Sequence, residues 1–295
     1  MKIAVLGLGL MGCAVAERLL ATGNDVIGWN RSPGPGDELT AKGMQRAETA
    51  AEAVGNAEAT LLLLADAAAI EETLLVDPDA GSLKGRTVIQ MGTIAPDESR
   101  SIARQIGARG GAYLEAPVLG SLPEARGGRL IVMAGGEETL YRRCLPLLEL
   151  LGEAPRLVGG VGQGAALKLA MNQLIAALTT GFSLSLGLVR AEGVDVALFM
   201  ELLRSSALYA PTFDKKLEKY LRHDYAQANF PLKHLIKDIR LFRRVAESKG
   251  LEASVPAAMQ ALFERAAAAG WADADYSALY EAVDRSSHAS ANESD

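Results

Sequence analysis

Short apolar runs alternate with helical patterns through the first half of the chain. The apolar runs predict six β-strands, at Lys2–Leu6, Asp25–Trp29, Ala59–Leu64, Arg86–Met91, Ala112–Glu115 and Arg129–Ala134. Helical patterns lie between most of them, including Ala95–Arg109 and Glu138–Leu151. Strands that alternate with helices in this way predict an α/β fold with a parallel, doubly wound sheet.

The pattern changes near Gly160, where the strand signals stop. From about Gln163 to Val283 the chain has helical patterns, which are interrupted at Gly181, Gly193, Pro211, Pro231 and Gly250. Residues 285–295 are polar and predict a disordered tail. We therefore expect an α/β domain over residues 1–161 and an all-helical domain over residues 162–284 that begins with a long interdomain helix.

The first predicted strand runs directly into the segment Gly7-Leu8-Gly9-Leu10-Met11-Gly12, and a helical pattern follows. Strand, glycine turn and helix are the context that the dinucleotide fingerprint G-x-G-x-x-G requires. Gly7 permits the tight turn, Gly9 lets the backbone approach a pyrophosphate, and Gly12 lets the helix pack closely on the strand. The segment predicts a Rossmann domain, with all six residues at the cofactor.

The residues after the second strand, Asn30-Arg31-Ser32, bear on which nicotinamide cofactor is bound. NAD sites place a carboxylate there for the ribose 2′-hydroxyl, and that carboxylate repels a 2′-phosphate. Asn30 carries no charge, Arg31 can pair with a phosphate, and Ser32 adds a hydroxyl donor. Asn30 and Ser32 can also simply start a turn, and both interpretations can hold together. We predict NADP, with NADPH preferred over NADH.

Ligands of an open α/β sheet bind at the carboxyl ends of its strands, and three further loops are expected there. Leu64 and Ala65 should pass beside the ribose and nicotinamide. Thr93 can offer a hydroxyl on the nicotinamide side, although a helix N-terminal role competes with this. The segment Glu115–Ser121 is expected to be a loop. Its backbone N–H groups at Gly120 and Ser121 could hold a carboxylate, and the alternative is an ordinary glycine turn.

Lys168 is the only charged residue between Arg156 and Arg190. A lone ammonium in apolar surroundings loses hydration, and its pKa tends to fall toward neutrality, where a lysine can give and take a proton. Asn172 lies one helical turn later, on the same stripe of the helix. The competing interpretation of Lys168 is a side chain whose head extends out of an apolar helix into water.

Length, composition and charge limit the classes of protein to which this chain can belong. With 295 residues, 49% of them hydrophobic, the chain can bury one large core or two moderate ones. A net charge of −6 argues against nucleic-acid binding, because such surfaces are usually basic. Lys215, Lys216 and Lys219 are expected to form a solvated helix face. The two cysteines, Cys13 and Cys144, provide no disulfide framework and predict a reducing cytoplasm.

The apolar run after Lys168 is long enough to raise the alternative of a membrane helix. Lys168, Asn172, Gln173 and the polar break at 179–181 favour a buried helix of a soluble protein, without a membrane partner. No signal peptide is expected, since the first strand begins at once and carries the fingerprint.

The three histidines, His223, His234 and His288, are scattered and predict no metal site. His234 and Asp238 lie one helical turn apart and could mimic a catalytic pair. We expect a surface contact between them instead.

Four segments together resemble the β-hydroxyacid dehydrogenase family, which contains 3-hydroxyisobutyrate dehydrogenases and glyoxylate/succinic semialdehyde reductases and is 6-phosphogluconate dehydrogenase-like. They are GLGLMG at Gly7–Gly12, APVLGS at Ala116–Ser121, GQGAALKLAMNQL at Gly162–Leu174 and FPLKHLIKD at Phe230–Asp238. The last is most similar to the glyoxylate/succinic semialdehyde reductase branch. The resemblance covers the chain to about Val283.

The resemblance implies roles for residues of both domains. It implies that Lys168 is the catalytic acid/base, that Asn172 helps to hold the substrate, and that Lys237 contacts the cofactor. Phe230 and Asp238 are implied to line the substrate pocket from the helical domain. From the sequence alone, Phe230 marks a helix start, and Lys237 and Asp238 could be a solvated helix face.

Two positions depart from the family pattern. Leu119 stands where the family has a substrate-binding serine, and Gly92 replaces a serine before Thr93. A leucine side chain cannot form a hydrogen bond to a carboxylate. We therefore expect either a weaker affinity for small hydroxy acids or a preference for other substrates. The departures affect the expected substrate more than the expected chemistry.

The expected function is NADPH-dependent reduction of a small aldehyde or keto acid to the hydroxy acid, or the reverse oxidation. Lys168 would protonate the alkoxide. Two alternatives remain. An imine reductase shares this architecture, but the presence of Lys168 argues against it; a non-catalytic dinucleotide-binding scaffold or sensor would be expected to lose Lys168 and Asn172. The large apolar helix also suggests a homodimer or homotetramer.

Overall fold

A computed structural model describes residues 1–75 and 83–284. The chain divides into two compact units, Met1–Leu169 and a second unit that starts at Ala170. The expected tail at 285–295 and His288 lie outside the described residues.

The first unit alternates strands and helices. Its elements are β1 (Lys2–Leu6), α1 (Leu10–Ala21), β2 (Asp25–Trp29), α2 (Asp37–Thr40), β3 (Gln45–Arg46), α3 (Ala50–Gly55), β4 (Ala59–Leu62), α4 (Ala67–Leu74), β5 (Thr87–Gln90), α5 (Pro96–Ala108), β6 (Ala112–Glu115), β7 (Val118–Leu119), α6 (Leu122–Gly127), β8 (Ile131–Gly135), α7 (Glu138–Leu151) and β9 (Arg156–Gly159). The helix α8 (Gln163–Ala191) begins in this unit. All six predicted strands are present, with ends that differ by up to two residues.

The strand order of the sheet is β3-β2-β1-β4-β5-β6-β8-β7, and β9 pairs with β8. The first six strands in this order, β3 to β6, are parallel to one another and have the Rossmann strand order. This order confirms the predicted fold class. The sheet is mixed at one edge, because β8 is antiparallel to β6 and β7. Sequence patterns missed β3, β7 and β9, since two of these strands have only two residues and show no periodicity.

Helices cover both faces of the sheet. Along β1, Ile3 and Val5 belong to one buried cluster, and Ala4 and Leu6 belong to another. Successive side chains of a strand point to opposite faces, so an unbroken apolar strand needs a core on each side. The hydrophobic run of β1 therefore determines that this strand lies in the middle of a covered sheet.

The second unit is helical, as predicted. After α8 it contains α9 (Val196–Ser205), α10 (Pro211–Arg222), α11 (Leu232–Ser248), α12 (Ser254–Ala266), a π-helical segment (Ala267–Trp271), a 3₁₀ turn (Tyr276–Leu279) and α13 (Tyr280–Val283). Two buried clusters stabilise it. One surrounds Phe263 and Leu235. The other is rich in aromatic rings, with Phe182 stacked on Phe213 at a centroid distance of 4.7 Å.

The helix α8 is less buried than the sequence suggested. It is the one helix within residues 1–75 and 83–284 that is long and apolar enough to cross a membrane, a test that core helices of soluble proteins also pass. In its most apolar window 33% of the residues are buried. Leu174, Leu184 and Leu188 are 56%, 53% and 64% exposed. The helix therefore has an exposed apolar face.

The expectation of a solvated lysine face on α10 is wrong for one member. Lys215 is exposed, but Lys216 is buried, and its Nζ lies 2.8 and 2.7 Å from the two carboxylate oxygens of Asp275. Asp275 is completely buried. Its partner lies 59 residues away in the chain, so no local pattern could have indicated the pair.

Candidate active site

The three fingerprint glycines occupy three different environments. Gly7 has φ +97°, and a Cβ there would stand 2.5 Å from the carbonyl oxygen of Leu63. A Cβ on Gly12 would stand 1.8 Å from the carbonyl oxygen of Gly7, so the start of α1 fits closely against the turn. A Cβ on Gly9 would meet nothing within 4 Å. Gly9 therefore has open space beside it and precedes the first turn of α1. A pyrophosphate there can accept hydrogen bonds from the backbone N–H groups of that turn.

The residues between these glycines differ in exposure. Leu8 is completely buried, whereas Leu10 is 52% exposed and Met11 is half-buried. A cofactor on this loop would therefore meet the backbone of Leu8 and not its side chain. The loop fits the diphosphate of a dinucleotide.

Asn30 joins the fingerprint loop to the end of β2. Its Oδ1 accepts a hydrogen bond from the backbone N–H of Leu8 at 3.0 Å, and its Nδ2 donates to the carbonyl oxygen of Ser32 at 3.0 Å. The turn interpretation of Asn30 is therefore observed, and its role at the cofactor stays a prediction. Arg31 and Ser32 are exposed, and the Arg31 guanidinium lies 3.8 Å from the Glu72 carboxylate.

The loops after β4 and β5 reach the same edge of the sheet. Leu64 is half-buried and Ala65 exposed. Thr93 is half-buried and lies two residues before Ala95, the N-cap of α5, whose backbone N–H donates to Glu98 at 2.8 Å. Thr93 is therefore not the helix cap. The cofactor roles of Leu64, Ala65 and Thr93 stay predictions.

The segment after β6 contains regular secondary structure, whereas the sequence suggested a loop. Val118–Leu119 forms β7, paired with β8, and Leu119 is half-buried. Gly120 has φ +143°, and Ser121 is the N-cap of α6. The backbone N–H of Ser121 donates to the Glu124 carboxylate at 2.8 Å. This amide already has a partner within the protein, and the proposed substrate role of Gly120 and Ser121 stays a prediction.

Lys168 lies in the second turn of α8 and is 9% exposed. The start of its helix is held by the carboxylate of Glu115, the last residue of β6. Glu115 Oε1 accepts hydrogen bonds from the backbone N–H groups of Gly162, Gly164 and Ala165 at 2.8, 2.7 and 3.3 Å. Sequence reasoning missed this residue, although an acid at the end of an apolar strand was a visible signal.

A second group of predicted residues lies together in the helical unit. Asn172 on α8 and Asp238 on α11 are 1% and 3% exposed, and Asn172 Nδ2 donates to Asp238 Oδ2 at 2.6 Å. Lys237 Nζ lies 3.1 Å from Asp238 Oδ1. The interpretation of Asp238 as part of a solvated face or a surface contact with His234 is wrong, because the carboxylate is buried against Asn172.

Phe230 and His234 stack beside this group, with ring centroids 6.5 Å apart and planes inclined by 6°. Burial, followed by the charges of Lys233 and Lys237, lowers the pKa of His234. The neutral imidazole is therefore favoured. Phe230 also packs edge-on against Tyr276 at 5.9 Å.

Family models match both parts of the chain. Residues 2–162 match the NAD-binding domain of 6-phosphogluconate dehydrogenase, and residues 162–283 match the NAD-binding domain of NADP-dependent 3-hydroxyisobutyrate dehydrogenase. The chain belongs to the β-hydroxyacid dehydrogenase family. The resemblance found in the sequence is confirmed. As a member of this family, the chain is an NAD(P)-dependent oxidoreductase that acts on CH–OH groups.

Two curated relatives align with this β-hydroxyacid dehydrogenase over nearly their whole length. Glyoxylate/succinic semialdehyde reductase 1 of Arabidopsis thaliana is 33% identical over 288 residues, which cover 96% of this chain and 98% of that protein. The 2-hydroxy-3-oxopropionate reductase of Escherichia coli is 33% identical over 287 residues, covering 96% and 97%.

Solved structures show the same fold. A 3-hydroxyisobutyrate dehydrogenase from Salmonella typhimurium has a TM-score of 0.84 at 23% identity, covering 95% of this chain and 99% of the other. An imine reductase from Myxococcus stipitatus in complex with NADP⁺ has a TM-score of 0.67 at 21% identity, covering 95% and 98%. At these identities both likenesses show the fold alone, and the dehydrogenase is the better match.

Proposed function

We propose that this β-hydroxyacid dehydrogenase reduces a small aldehyde or keto acid with NADPH and catalyses the reverse oxidation of the hydroxy acid. The observation that carries the proposal is Lys168, a lysine 9% exposed on a helix with no other charge between Arg156 and Arg190. Relatives named as glyoxylate/succinic semialdehyde reductases support the substrate class.

The glycine loop at Gly7–Gly12 and the cation of Arg31 would hold the dinucleotide. A bound NADPH supplies the hydride for the carbonyl carbon. Lys168 donates a proton to the developing alkoxide oxygen, and in the oxidation direction the neutral amine takes the proton from the alcohol. Asn172 orients the substrate through its amide, whose own direction is set by the hydrogen bond to Asp238.

The preference for NADPH over NADH is part of the proposal. Asn30 presents a neutral amide at the position where NAD-specific sites carry a carboxylate. Arg31 is exposed and can pair with a 2′-phosphate. Both features favour the phosphorylated cofactor.

The substrate side lacks two hydroxyl groups of the family pattern. Leu119 is half-buried, and a Cβ on Gly92 would stand 2.8 Å from the carbonyl oxygen of Leu64. A serine at Gly92 would therefore require the backbone to move. We expect lower affinity for small hydroxy acids than a site with both serines would have.

We further propose that the protein is a cytoplasmic homodimer or homotetramer without nucleic-acid or membrane partners. The net charge of −6 disfavours binding to nucleic acid. The exposed leucines of α8, among them Leu174, Leu184 and Leu188, form an apolar face that a second copy could cover.

The experiment is NADPH oxidation with glyoxylate and with succinic semialdehyde, run beside NADH for the wild type and for Lys168→Ala. Loss of an acid/base group typically lowers turnover by about 10²-fold or more, and we expect that loss in Lys168→Ala. Lys215→Ala, which removes an exposed lysine of α10, serves as the matched control and should retain full activity.

Turnover that survives in Lys168→Ala would overturn the role of Lys168. An imine reductase remains the second candidate, because Leu119 replaces a polar substrate ligand. Silence of the wild type toward both carbonyl substrates, together with tight NADPH binding and turnover of cyclic imines, would favour that candidate. Binding of NADPH without any turnover would favour a scaffold or sensor.

A further inference from the structure

We propose that Glu115 is a positioning residue for Lys168, which it holds in place by fixing the first turn of α8. The inference rests on the proposed function, in which Lys168 exchanges a proton with the substrate. Glu115, the start of α8 and Lys168 all belong to the first compact unit.

The carboxylate of Glu115 holds the start of α8 by three hydrogen bonds. Its Oε1 accepts from the backbone N–H groups of Gly162, Gly164 and Ala165, at 2.8, 2.7 and 3.3 Å. The first N–H groups of a helix have no partner within the helix, and their partial positive charge favours an anion. A single buried carboxylate therefore satisfies several of them at once and fixes the axial position of the helix.

Two glycines leave the room that this carboxylate occupies. A Cβ on Gly135 of β8 would stand 2.3 Å from Glu115 Oε1. A Cβ on Gly164 would stand 2.5 Å from the carbonyl oxygen of Met133 and 3.1 Å from Glu115 Oε1. The strands β6 and β8 and the start of α8 therefore approach each other closely at the Glu115 carboxyl group. A side chain at Gly135 or Gly164 would force them apart.

The second carboxylate oxygen is held as well. Ser99 on α5 donates its hydroxyl to Glu115 Oε2, and the Tyr113 hydroxyl lies 2.8 Å from Ser99 Oγ. Glu115, Ser99 and Tyr113 are 0%, 0% and 7% exposed. Burial raises the pKa of Glu115, and the hydrogen bonds from Ser99 and the helix backbone oppose that rise. The Ser99 hydroxyl and the three backbone N–H groups all donate to the carboxyl group of Glu115.

The anchored turn and Lys168 share one face of α8. Gly164 and Lys168 are four residues apart, so their Cα atoms lie on neighbouring turns of the same side. A helix transmits a shift of its first turn to the next with little change, because each residue adds a fixed rise of about 1.5 Å. The position of the Lys168 ammonium therefore depends on where Glu115 holds the helix.

The test shortens the Glu115 side chain while keeping its carboxyl group. Glu115→Asp moves the carboxylate back by one methylene, and we expect kcat to fall by about ten- to a hundredfold, the size of effect that small misplacement of a reacting group can have. The Kd for NADPH should change little, because the fingerprint loop is not altered. Glu115→Gln keeps the length of the side chain and should lose less than the shorter variant.

The matched control is Glu281→Asp. Glu281 is another buried carboxylate, 7% exposed, and accepts a hydrogen bond from Tyr225 at 2.7 Å in the second unit. We expect this variant to lose stability but to keep kcat. If Glu115→Asp also loses only stability, with kcat per folded molecule unchanged, Glu115 is an ordinary structural residue and the proposal is overturned.

A double-mutant cycle separates this inference from the proposed function. If Glu115 acts through Lys168, Glu115→Asp has no further effect on the residual turnover of Lys168→Ala. An equal fold-loss in both backgrounds would contradict the inference. Full activity of Lys168→Ala alone would refute the proposed role of Lys168 whatever Glu115 does. If Glu115→Asp does not fold, Glu115→Gln serves in the same cycle and is read in the same way.

Discussion

Two buried carboxylates, one in each unit, are held in opposite ways. Glu115 and Asp275 are both completely buried. Glu115 accepts from neutral donors, namely three backbone N–H groups and the Ser99 hydroxyl. Asp275 accepts from the Lys216 ammonium at 2.8 and 2.7 Å and from the Ser277 hydroxyl at 2.7 Å.

The difference in hydrogen-bond partners determines which part of the structure each carboxyl group stabilises. Asp275 and Lys216 cancel each other's charge and connect α10 to the segment before the 3₁₀ turn, so the pair fixes the packing of the helical unit. Glu115 accepts hydrogen bonds at the positive end of a helix dipole and so stabilises the start of α8. An ion pair joins two side chains, whereas a carboxyl group that accepts hydrogen bonds from backbone N–H groups fixes the main chain itself.

The largest expected effect is on the ion pair. Asp275→Asn leaves the Lys216 ammonium buried without a counter-charge, and removal of one partner of a buried pair typically costs about 3–5 kcal/mol. Urea unfolding followed by circular dichroism measures the loss. The double variant Lys216→Met/Asp275→Leu removes both charges and should recover most of it. A loss within the error of the urea experiment would show that the pair contributes nothing to stability.

A smaller effect is expected where α8 meets the Glu115 carboxylate. Gly164→Ala places a Cβ 2.5 Å from the carbonyl oxygen of Met133, and overpacking of this kind costs about 1–3 kcal/mol. Gly181→Ala on the same helix meets nothing within 4 Å and should gain about 0.5–1 kcal/mol from helix propensity. Thermal unfolding of both variants makes the comparison. Equal shifts in Tm would show that the start of α8 can move freely.

The smallest effect is expected at a half-buried carboxylate, Asp214, which is held by two side-chain partners. Hydrogen bonds from Arg204, and then from Tyr209, lower its pKa from 3.8 to about 2. A lowered folded-state pKa stabilises the protein above the unfolded pKa, and this contribution is lost as the pH falls from 3.8 to about 2. We expect Asp214→Asn to be slightly less stable than the wild type at neutral pH, with the difference closing across that interval. A difference that stays constant in acid would contradict the shift.

The fold and much of the first unit were predictable because their signals are local. The segment Gly7–Gly12 predicted a turn, a helix start and a cofactor loop, and the structure shows a positive φ at Gly7 and an open face at Gly9. The apolar runs predicted the parallel strands. The two-residue strands β3 and β7 gave no signal, since a pattern with period two needs several residues to be visible.

The candidate site was predicted less completely, since its parts come from distant segments. Lys168 stood out in the sequence because no other charged residue lies near it along the chain, and the structure shows that its side chain is buried. Asp238 could equally have faced water, and its contact with Asn172 joins residues 66 positions apart. Lys216 was misplaced for the same reason, and Glu115 was overlooked.

The sequence by itself determined the Rossmann pattern, the family and the identity of the isolated lysine. These follow from backbone conformation, hydrophobic periodicity and charge, which are properties of a residue and its near neighbours. The tertiary structure alone decided which buried charges have partners and which backbone groups they hold. The cost of burying a charge depends on every group that surrounds it, and those groups come together only when the chain has folded.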